Sequence, residues 1–247
     1  MKNPRVLVVV PALNEADSIN VVITSLLQEP SIHSILVVDD GSTDLTPIIA
    51  RNAGAIVISH LSNLGVGAAL HTGFKYAFEN DFDFVLQFDA DGQHRVEEIQ
   101  VLMENLKDND ILIGSRINSE GKFRATYDMS LPRILGIKFL SLLISKYTHT
   151  TISDATSGFR LNSRKSVKVF ASSFPSSYLG DTVESLLIAH DYDLRINQIL
   201  TQMEPRLLGK PSHNFVTSFF RYLHVLARIA LFYCARTLRA LGKLIGN

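Results

Sequence analysis

Residues 1–217 predict an α/β domain built on a mostly parallel sheet with helices on both faces, and residues 218–247 predict a basic amphipathic helical tail. Three observations carry this expectation. Short, uncharged apolar runs alternate with segments of helical period from Val6 to Ile113, as in strands buried on both faces and joined by crossover helices. Most of these runs close on polar, often acidic, residues. Finally, the charge is uneven. The 24 Lys and Arg balance 24 Asp and Glu, yet residues 218–247 hold Arg221, Arg228, Arg236, Arg239 and Lys243 and no acid, so the rest carries −5.

Taken in order, Val6–Val10 is a β-branched run that Pro11 stops. Asp17 to Leu27 has a helical period through Ile19, Val22, Ile23, Leu26 and Leu27. Ile35–Val38 is a second strand, after which Ser42 or Thr43 is expected to cap a helix containing Ile48 and Ile49. Ala55–Ile58 is a third strand, Val66 to Phe78 a helix, Phe84–Phe88 a fourth strand, Val96 to Leu106 a helix and Ile111–Ile113 a fifth strand. Beyond Gly114 the alternation fades, and residues 115–217 are expected to complete the site rather than form a domain of their own.

Composition removes several classes. The 247 residues are 46% hydrophobic, enough for a core without metal or disulfide support. A single cysteine, Cys234, excludes a disulfide scaffold or Cys-rich zinc module and fits a reducing compartment. Neutral net charge speaks against a nucleic-acid binder. Val6–Val10 is too short for a signal peptide, and no run of about 18 uncharged apolar residues predicts a membrane span.

Ligands of such sheets bind beyond the carboxyl ends of the strands. Here those ends run into Asn14-Glu15, Asp39-Asp40, Asp89-x-Asp91 and Ser115-Arg116. Asp89 and Asp91, two apart in an extended stretch, point the same way. They can chelate a hard divalent cation that neutralises a diphosphate, although a polar turn explains the pair equally well by itself. Gln93 and His94 are further ligand or substrate candidates. Asp40 is placed for a ribose hydroxyl or a base edge. A phospho-receiver reading fails, because the acid pair follows strand two and no Lys follows strand five. Gly65-Val-Gly67 is a poor dinucleotide fingerprint, with Leu70 where a third Gly belongs. No P-loop, nucleophile elbow or H-E-x-x-H is present.

Six segments occur in order: Pro11-Ala-Leu-Asn-Glu15, Val37-Val-Asp-Asp-Gly-Ser-Thr-Asp44, Asn63-Leu-Gly-Val-Gly67, Asp89-Ala-Asp-Gly-Gln-His94, Asp154-Ala-Thr-Ser-Gly-Phe-Arg160 and Arg206-Leu-Leu-Gly-Lys-Pro-Ser212. Together they resemble glycosyltransferase family 2, and most closely its dolichyl- and polyprenyl-phosphate sugar synthase branch and relatives in bacterial polysaccharide clusters. The resemblance implies a Rossmann-like GT-A fold, a nucleotide-diphosphate sugar donor, Mg²⁺ or Mn²⁺, and inversion at the anomeric carbon. It further implies that Pro11, Asn14, Glu15 and Asp40 bind the nucleoside. Asp89 and Asp91 hold metal and diphosphate, with Gln93 a third ligand. Arg116 lies under the donor sugar, Arg206 near the diphosphate, and Asp154, Ser157, Gly158 and Arg160 in the acceptor-side loop. Asp181 and Glu184 are both candidates for a general base, with Asp154 next. A phosphate acceptor needs no base, whereas a sugar hydroxyl does.

The tail's five cations fall within one arc of roughly 80° on a helical wheel, opposite Phe219, Leu223, Leu226, Ala230, Cys234, Leu238, Leu241 and Leu244. That suits an anionic membrane surface; a helix packed on the domain, or against its twin in a homo-oligomer, is the alternative. The expectation is a cytoplasmic inverting transferase, peripheral on the inner membrane face, acting on a lipid-linked acceptor. The rivals are a sugar-phosphate nucleotidyltransferase and a non-catalytic membrane-associated subunit.

Overall fold

The structure is a computed structural model that describes residues 4–117, 131–176, 180–204 and 226–234. Its strands are β1 (Val6–Ala12), β2 (Ser34–Asp39), β3 (Ile56–Ser59), β4 (Phe84–Gln87), β5 (Ile111–Ser115), β6 (Arg160–Ser163) and β7 (Ile196–Leu200). The helices are α1 (Ile19–Leu26), α2 (Thr46–Asn52), α3 (Val66–Glu79), α4 (Glu97–Asn105), α5 (Leu131–Thr148), α6 (Arg164–Ser173) and α7 (Ser185–Asp191), with a π-helical turn over Gly180–Glu184. All seven strands join one sheet in the order β3-β2-β1-β4-β6-β5-β7. β6 runs antiparallel to β4 and β5, and the other pairings are parallel.

The five expected strands are present, with ends shifted by one or two residues. β1 shows why its run is uniformly apolar. Leu7 and Val9 enter one core with Phe74, Leu140, Ile144 and Phe170, while Val8 and Val10 enter a second with Ile19, Ile23, Ile99 and Leu102. A strand covered on both faces has no solvent side to mark with polar residues.

β6 and β7 were not expected. β6 is Arg-Leu-Asn-Ser, with Arg160, Leu161 and Asn162 all buried, so two polar residues stand where a buried strand is normally apolar. Its direction matters most. Lying antiparallel between β4 and β5, β6 begins where they end: Arg160 is registered with Gln87 and with Ile113. The 154–159 loop therefore arrives at the carboxyl edge of the sheet. Parallel pairing of Leu200 with Ser115 brings residues 201–204 to the same edge.

The expected Ser42 or Thr43 cap of α2 is not formed, and Leu45 occupies the N-cap position. Asp44 Oδ1 accepts from the Thr46 backbone N–H and hydroxyl, whereas Ser42 and Thr43 bond to Asn14. The tail differs as well. Over 226–234 it is a helix laid on the domain, with Ile229 buried and Leu226, Phe232 and Tyr233 packed on the core. Tyr233 Oη donates to the Leu143 carbonyl, and Tyr147 meets Phe232 and Tyr233 edge-on. Arg228, assigned above to a lipid-facing arc, pairs with Glu184, while Ala230 and Cys234 from the opposite arc are exposed. The packed-helix alternative describes this stretch; the remainder of 218–247 lies outside the described residues. Among the described residues no helix is long and apolar enough to cross a membrane.

α3 sits tightly on β1 at Gly73, where an added Cβ would lie 2.4 Å from Val9 Cγ1 and 2.8 Å from Cγ2. Gly73→Ala should therefore destabilise the fold by about 1–3 kcal/mol through overpacking. Val9→Ala in the same chain should recover part of that loss, because neighbours that share space are not additive. Denaturant unfolding of the two single variants and the double variant measures the coupling; full additivity would show that the helix takes up the methyl by moving.

Candidate active site

Three loops are locked together at the carboxyl ends of β1, β2 and β3. Asn14, in the left-handed region at φ 54°, donates its N–H to Ser42 Oγ and accepts from Thr43 N–H through Oδ1. The Glu15 N–H donates to Thr46 Oγ1, and its carboxylate accepts from Ser18 Oγ. Pro11 lies within β1, half-buried. Asp40 is buried and holds the third loop: Oδ1 meets His60 Nδ1 and the Leu64 N–H, and Oδ2 accepts from the Gly65 N–H. Gly41, at φ +79°, lets that loop approach, since a Cβ there would stand 2.6 Å from the Ser62 carbonyl carbon. Asn14 and Asp40 thus hold these loops together through protein contacts.

Beyond β4, the Asp89 side chain is 42% exposed and is oriented from below by His94, whose Nε2 lies 2.9 Å from Oδ2. The His94 ring is buried, stacked on Phe159 and edge-on to Phe88. Its Nδ1 has no hydrogen-bond partner, which fits the tautomer with the proton on Nε2, donated to Asp89. His94 therefore supports Asp89 through Nε2. Asp91 Oδ1 accepts from the Gln93 N–H, and Gln93 Nε2 reaches the Glu204 carbonyl at 3.5 Å.

The 154–159 loop packs against this carboxylate. A Cβ on Gly158 would lie 3.4 Å from both Asp89 carboxylate oxygens. Three of the expected site residues, Arg116, Asp154 and Arg160, make internal contacts. Arg116 forks onto Asp154, with Nε to Oδ2 at 2.6 Å and Nη2 to Oδ1 at 2.8 Å, both side chains buried. Burial alone would raise the Asp154 carboxyl, but the Arg116 charge and hydrogen bonds outweigh it and hold it below the ordinary value. A wholly buried, ion-paired carboxylate makes a poor base, so Asp154 leaves that set. Arg160 is buried and donates to the carbonyls of Ser157, Ala155 and Asp181 and to Ser185 Oγ. Burial lowers it to about 10, against the opposing pull of Asp181 and Asp154, so it remains a cation at neutral pH. Arg206 lies outside the described residues.

The two remaining acids share the π-helical turn and have different surroundings. Glu184 pairs with Arg228 of the tail helix. Asp181 is nearly buried, and burial raises its carboxyl to about 6; Arg160 opposes the rise and Asp89 adds to it. The Asp89 charge therefore reaches Asp181, which assigns the ends of β4 and of the π-turn to one site.

This arrangement suits a hard cation in its donor chemistry. Oxygen donors on Asp89 and Asp91 lie at a strand end, and the negative charge there already disfavours ionisation of Asp181. Among the described residues, no group of three or more His, Cys, Asp or Glu could hold a metal ion. Two carboxylates with positions left for phosphate and water is the Mg²⁺-like pattern.

Residues 7–170 match glycosyl transferase family 2, and the chain belongs to that family. The UDP-N-acetylglucosamine–dolichyl-phosphate N-acetylglucosaminyltransferase of Methanococcus voltae is 30% identical over 218 residues, covering 81% of this chain and 85% of its own. The undecaprenyl-phosphate mannosyltransferase of Micrococcus luteus is 32% identical over 123 residues, 48% of this chain and 51% of its own. Among solved structures, glucosyl-3-phosphoglycerate synthase of Mycobacterium tuberculosis, in complex with Mn²⁺ and UDP-glucose, superposes with a TM-score of 0.69 at 21% identity, over 93% of this chain and 79% of its own. The fold is thus GT-A and the protein is a glycosyltransferase, its likeness being to the polyprenyl-phosphate branch. The nucleotidyltransferase alternative falls with that assignment.

The raised Asp181 makes a signed prediction. Its folded-state value lies above the unfolded one, so the proton it retains stabilises the fold fully below about pH 4, and that contribution is lost as pH rises through about 6. Asp181→Asn should therefore melt higher than the wild type at pH 7.5 and converge with it towards pH 4. Thermal melts across that range measure the difference; a constant offset would show that Asp181 ionises freely in the fold.

Proposed function

We propose that this glycosyltransferase uses Mg²⁺ or Mn²⁺ and moves a sugar, with inversion, from a nucleoside diphosphate to a lipid-linked acceptor, a polyprenyl phosphate. One observation carries the reading: the exposed Asp89 carboxylate, supported by His94 and flanked by Gly158, joins the end of β4 to the acceptor-side loop and to Asp181. Asp89 and Asp91 would hold the ion, with Gln93 beside them, and the ion would supply charge neutralisation for the departing diphosphate. The loops set by Asn14, Glu15 and Asp40 would shape the nucleoside pocket. Arg116, through Asp154, would fix the floor under the sugar. Support for the acceptor comes from the M. voltae and M. luteus relatives, which act on dolichyl and undecaprenyl phosphate. Support for a divalent ion comes from the Mn²⁺ and UDP-glucose in the M. tuberculosis structure. A polyprenyl phosphate is already ionised and requires no base. A lipid-linked saccharide is the second reading, favoured by Asp181 at about 6, which is where a base for a sugar hydroxyl works best.

Asp91→Asn should abolish transfer, at a cost of several kcal/mol of transition-state stabilisation, with the melting temperature held near wild type. Nucleoside diphosphate with Mn²⁺ should raise the wild-type melting temperature, as any native-state ligand does, and raise it less in Asp89→Ala. Assay of a nucleotide-sugar panel with each ion, scored for transfer to polyprenyl phosphate, checks both points. Near-normal turnover of Asp91→Asn, or full wild-type activity in chelator, would sink the reading.

A further inference from the structure

The segment after β7 is fastened to the segment that follows Asp91. Thr201 continues the ladder between β7 and β5, its N–H donating to the Ser115 carbonyl at 2.9 Å. Next, His94 and Met203 form an isolated antiparallel bridge, and the Glu204 N–H donates to the Gln93 carbonyl at 2.9 Å. A bridge of one residue pair lacks the support of a continuing ladder, and side chains supply it. The Gln202 N–H donates to Glu98 Oε1 at 3.1 Å, and Gln202 Oε1 accepts from Arg95 Nη1 at 2.9 Å. Gln202 is thus gripped by its backbone and by its side chain from the start of α4. Arg95 also pairs with Glu97 at 3.5 Å and with Glu204 at 3.7 Å. Those longer pairs lie among partly exposed side chains and contribute little, so the weight falls on the charge-assisted bond to Gln202.

This clamp ends on two residues that serve the Asp89-x-Asp91 turn. Residues 89–93 belong to no strand or helix, and a turn alone does not hold ligands to the fraction of an ångström that coordination needs. A carbonyl oxygen only accepts, so the Glu204 carbonyl, 3.5 Å from the Gln93 amide, faces its NH₂ end. That leaves Gln93 Oε1 as the arm available to an ion. The bridge to Met203 fixes the backbone of His94, whose Nε2 in turn orients Asp89. Met203 and His94 are both buried, so neither can shift without disturbing the packing beneath the turn.

We propose that Arg95 and Gln202 are positioning residues for the ion site: by clamping residues 202–204 onto residues 93–95, they hold the Gln93 amide and the His94 imidazole where the ion and Asp89 require them. This rests on the reading that Asp89 and Asp91 hold a divalent ion. Neither Arg95 nor Gln202 touches the ion; each acts through the residues it holds. Partners that stand behind ligands in this way typically cost about 10–100-fold in metal affinity when removed.

The sign of the effect separates positioning from charge. Arg95→Ala removes a cation near a cation site, so by Coulomb attraction alone it should tighten ion binding. The proposal requires the opposite. Mn²⁺ binding to the full chain, with UDP and again with GDP, is read from the electron paramagnetic resonance signal of the free ion. Arg95→Ala and Gln202→Leu should each weaken Mn²⁺ binding by about tenfold, whereas Gln202→Glu, which keeps an acceptor for Arg95, should stay close to the wild type. In a Gln93→Ala background the loss from Arg95→Ala should shrink, because the two changes act on one arm of the clamp. Unchanged or tighter Mn²⁺ binding in folded Arg95→Ala would overturn the proposal and leave the ion reading standing. So would a lower melting temperature with unchanged Mn²⁺ affinity, which would make the clamp a structural contact only. A wild type that binds no Mn²⁺ with either nucleotide would sink the ion reading, and the proposal with it.

Discussion

The guanidinium of Arg160 is the joint on which the catalytic edge depends. It is among the largest side chains wholly withdrawn from solvent, and its hydrogen bonds tie the 155–157 carbonyls to the π-turn at Asp181 and to Ser185 at the start of α7. A buried cation is tolerable only when its donors are satisfied and counter-charges are near. Arg160 meets both conditions, with Asp181 and Asp154 as its counter-charges. Its position follows from topology. Only a strand running against β4 and β5 places its first residue at their carboxyl ends, so the reversal at β6 delivers the acceptor-side loop to the donor-side carboxylates.

Around that joint the charges divide into two kinds. Asp154 is matched by Arg116 in a forked pair sealed from water, and breaking such a pair typically costs about 3–5 kcal/mol. Asp89 and Asp91 stand at the end of β4, where the Asp89 side chain is 42% exposed. Burial is the main cause of the raised Asp181 carboxyl, and the Asp89 charge adds to it. Sites that concentrate like charge in this way give up stability for function. His94, set on Phe159 beneath Asp89, shows the same economy, since its ring contributes packing and its Nε2–H fixes the carboxylate.

Most of the left half of the sheet was legible in the sequence because β1, β2 and β4 are buried on both faces and therefore written as unbroken apolar runs. β6 was not, because a strand containing Arg160 and Asn162 has its polar residues inside. The acids at the strand ends were legible as a group, since several lie on one edge of any such sheet. Their separate duties were not. Nothing in the spacing of Asp40, Asp154 and Arg160 shows that their side chains turn inward to backbone amides and counter-charges, because those partners lie 24, 38 and 21 residues away. Arg228 was misread for a related reason: a helical wheel sorts residues by angle, and Glu184, the acid that turns this cation toward the protein, is 44 residues distant.

The central claim is that the end of β4 and the π-turn form one electrostatic site. Titration of the Asp181 carboxyl by ¹³C NMR, in the wild type and in Asp89→Asn, tests it most directly. Burial and the Asp89 charge together raise Asp181 to about 6, so the midpoint should lie near that value and fall when the Asp89 charge is removed. A midpoint in the ordinary aspartate range, or one indifferent to Asp89→Asn, would contradict it.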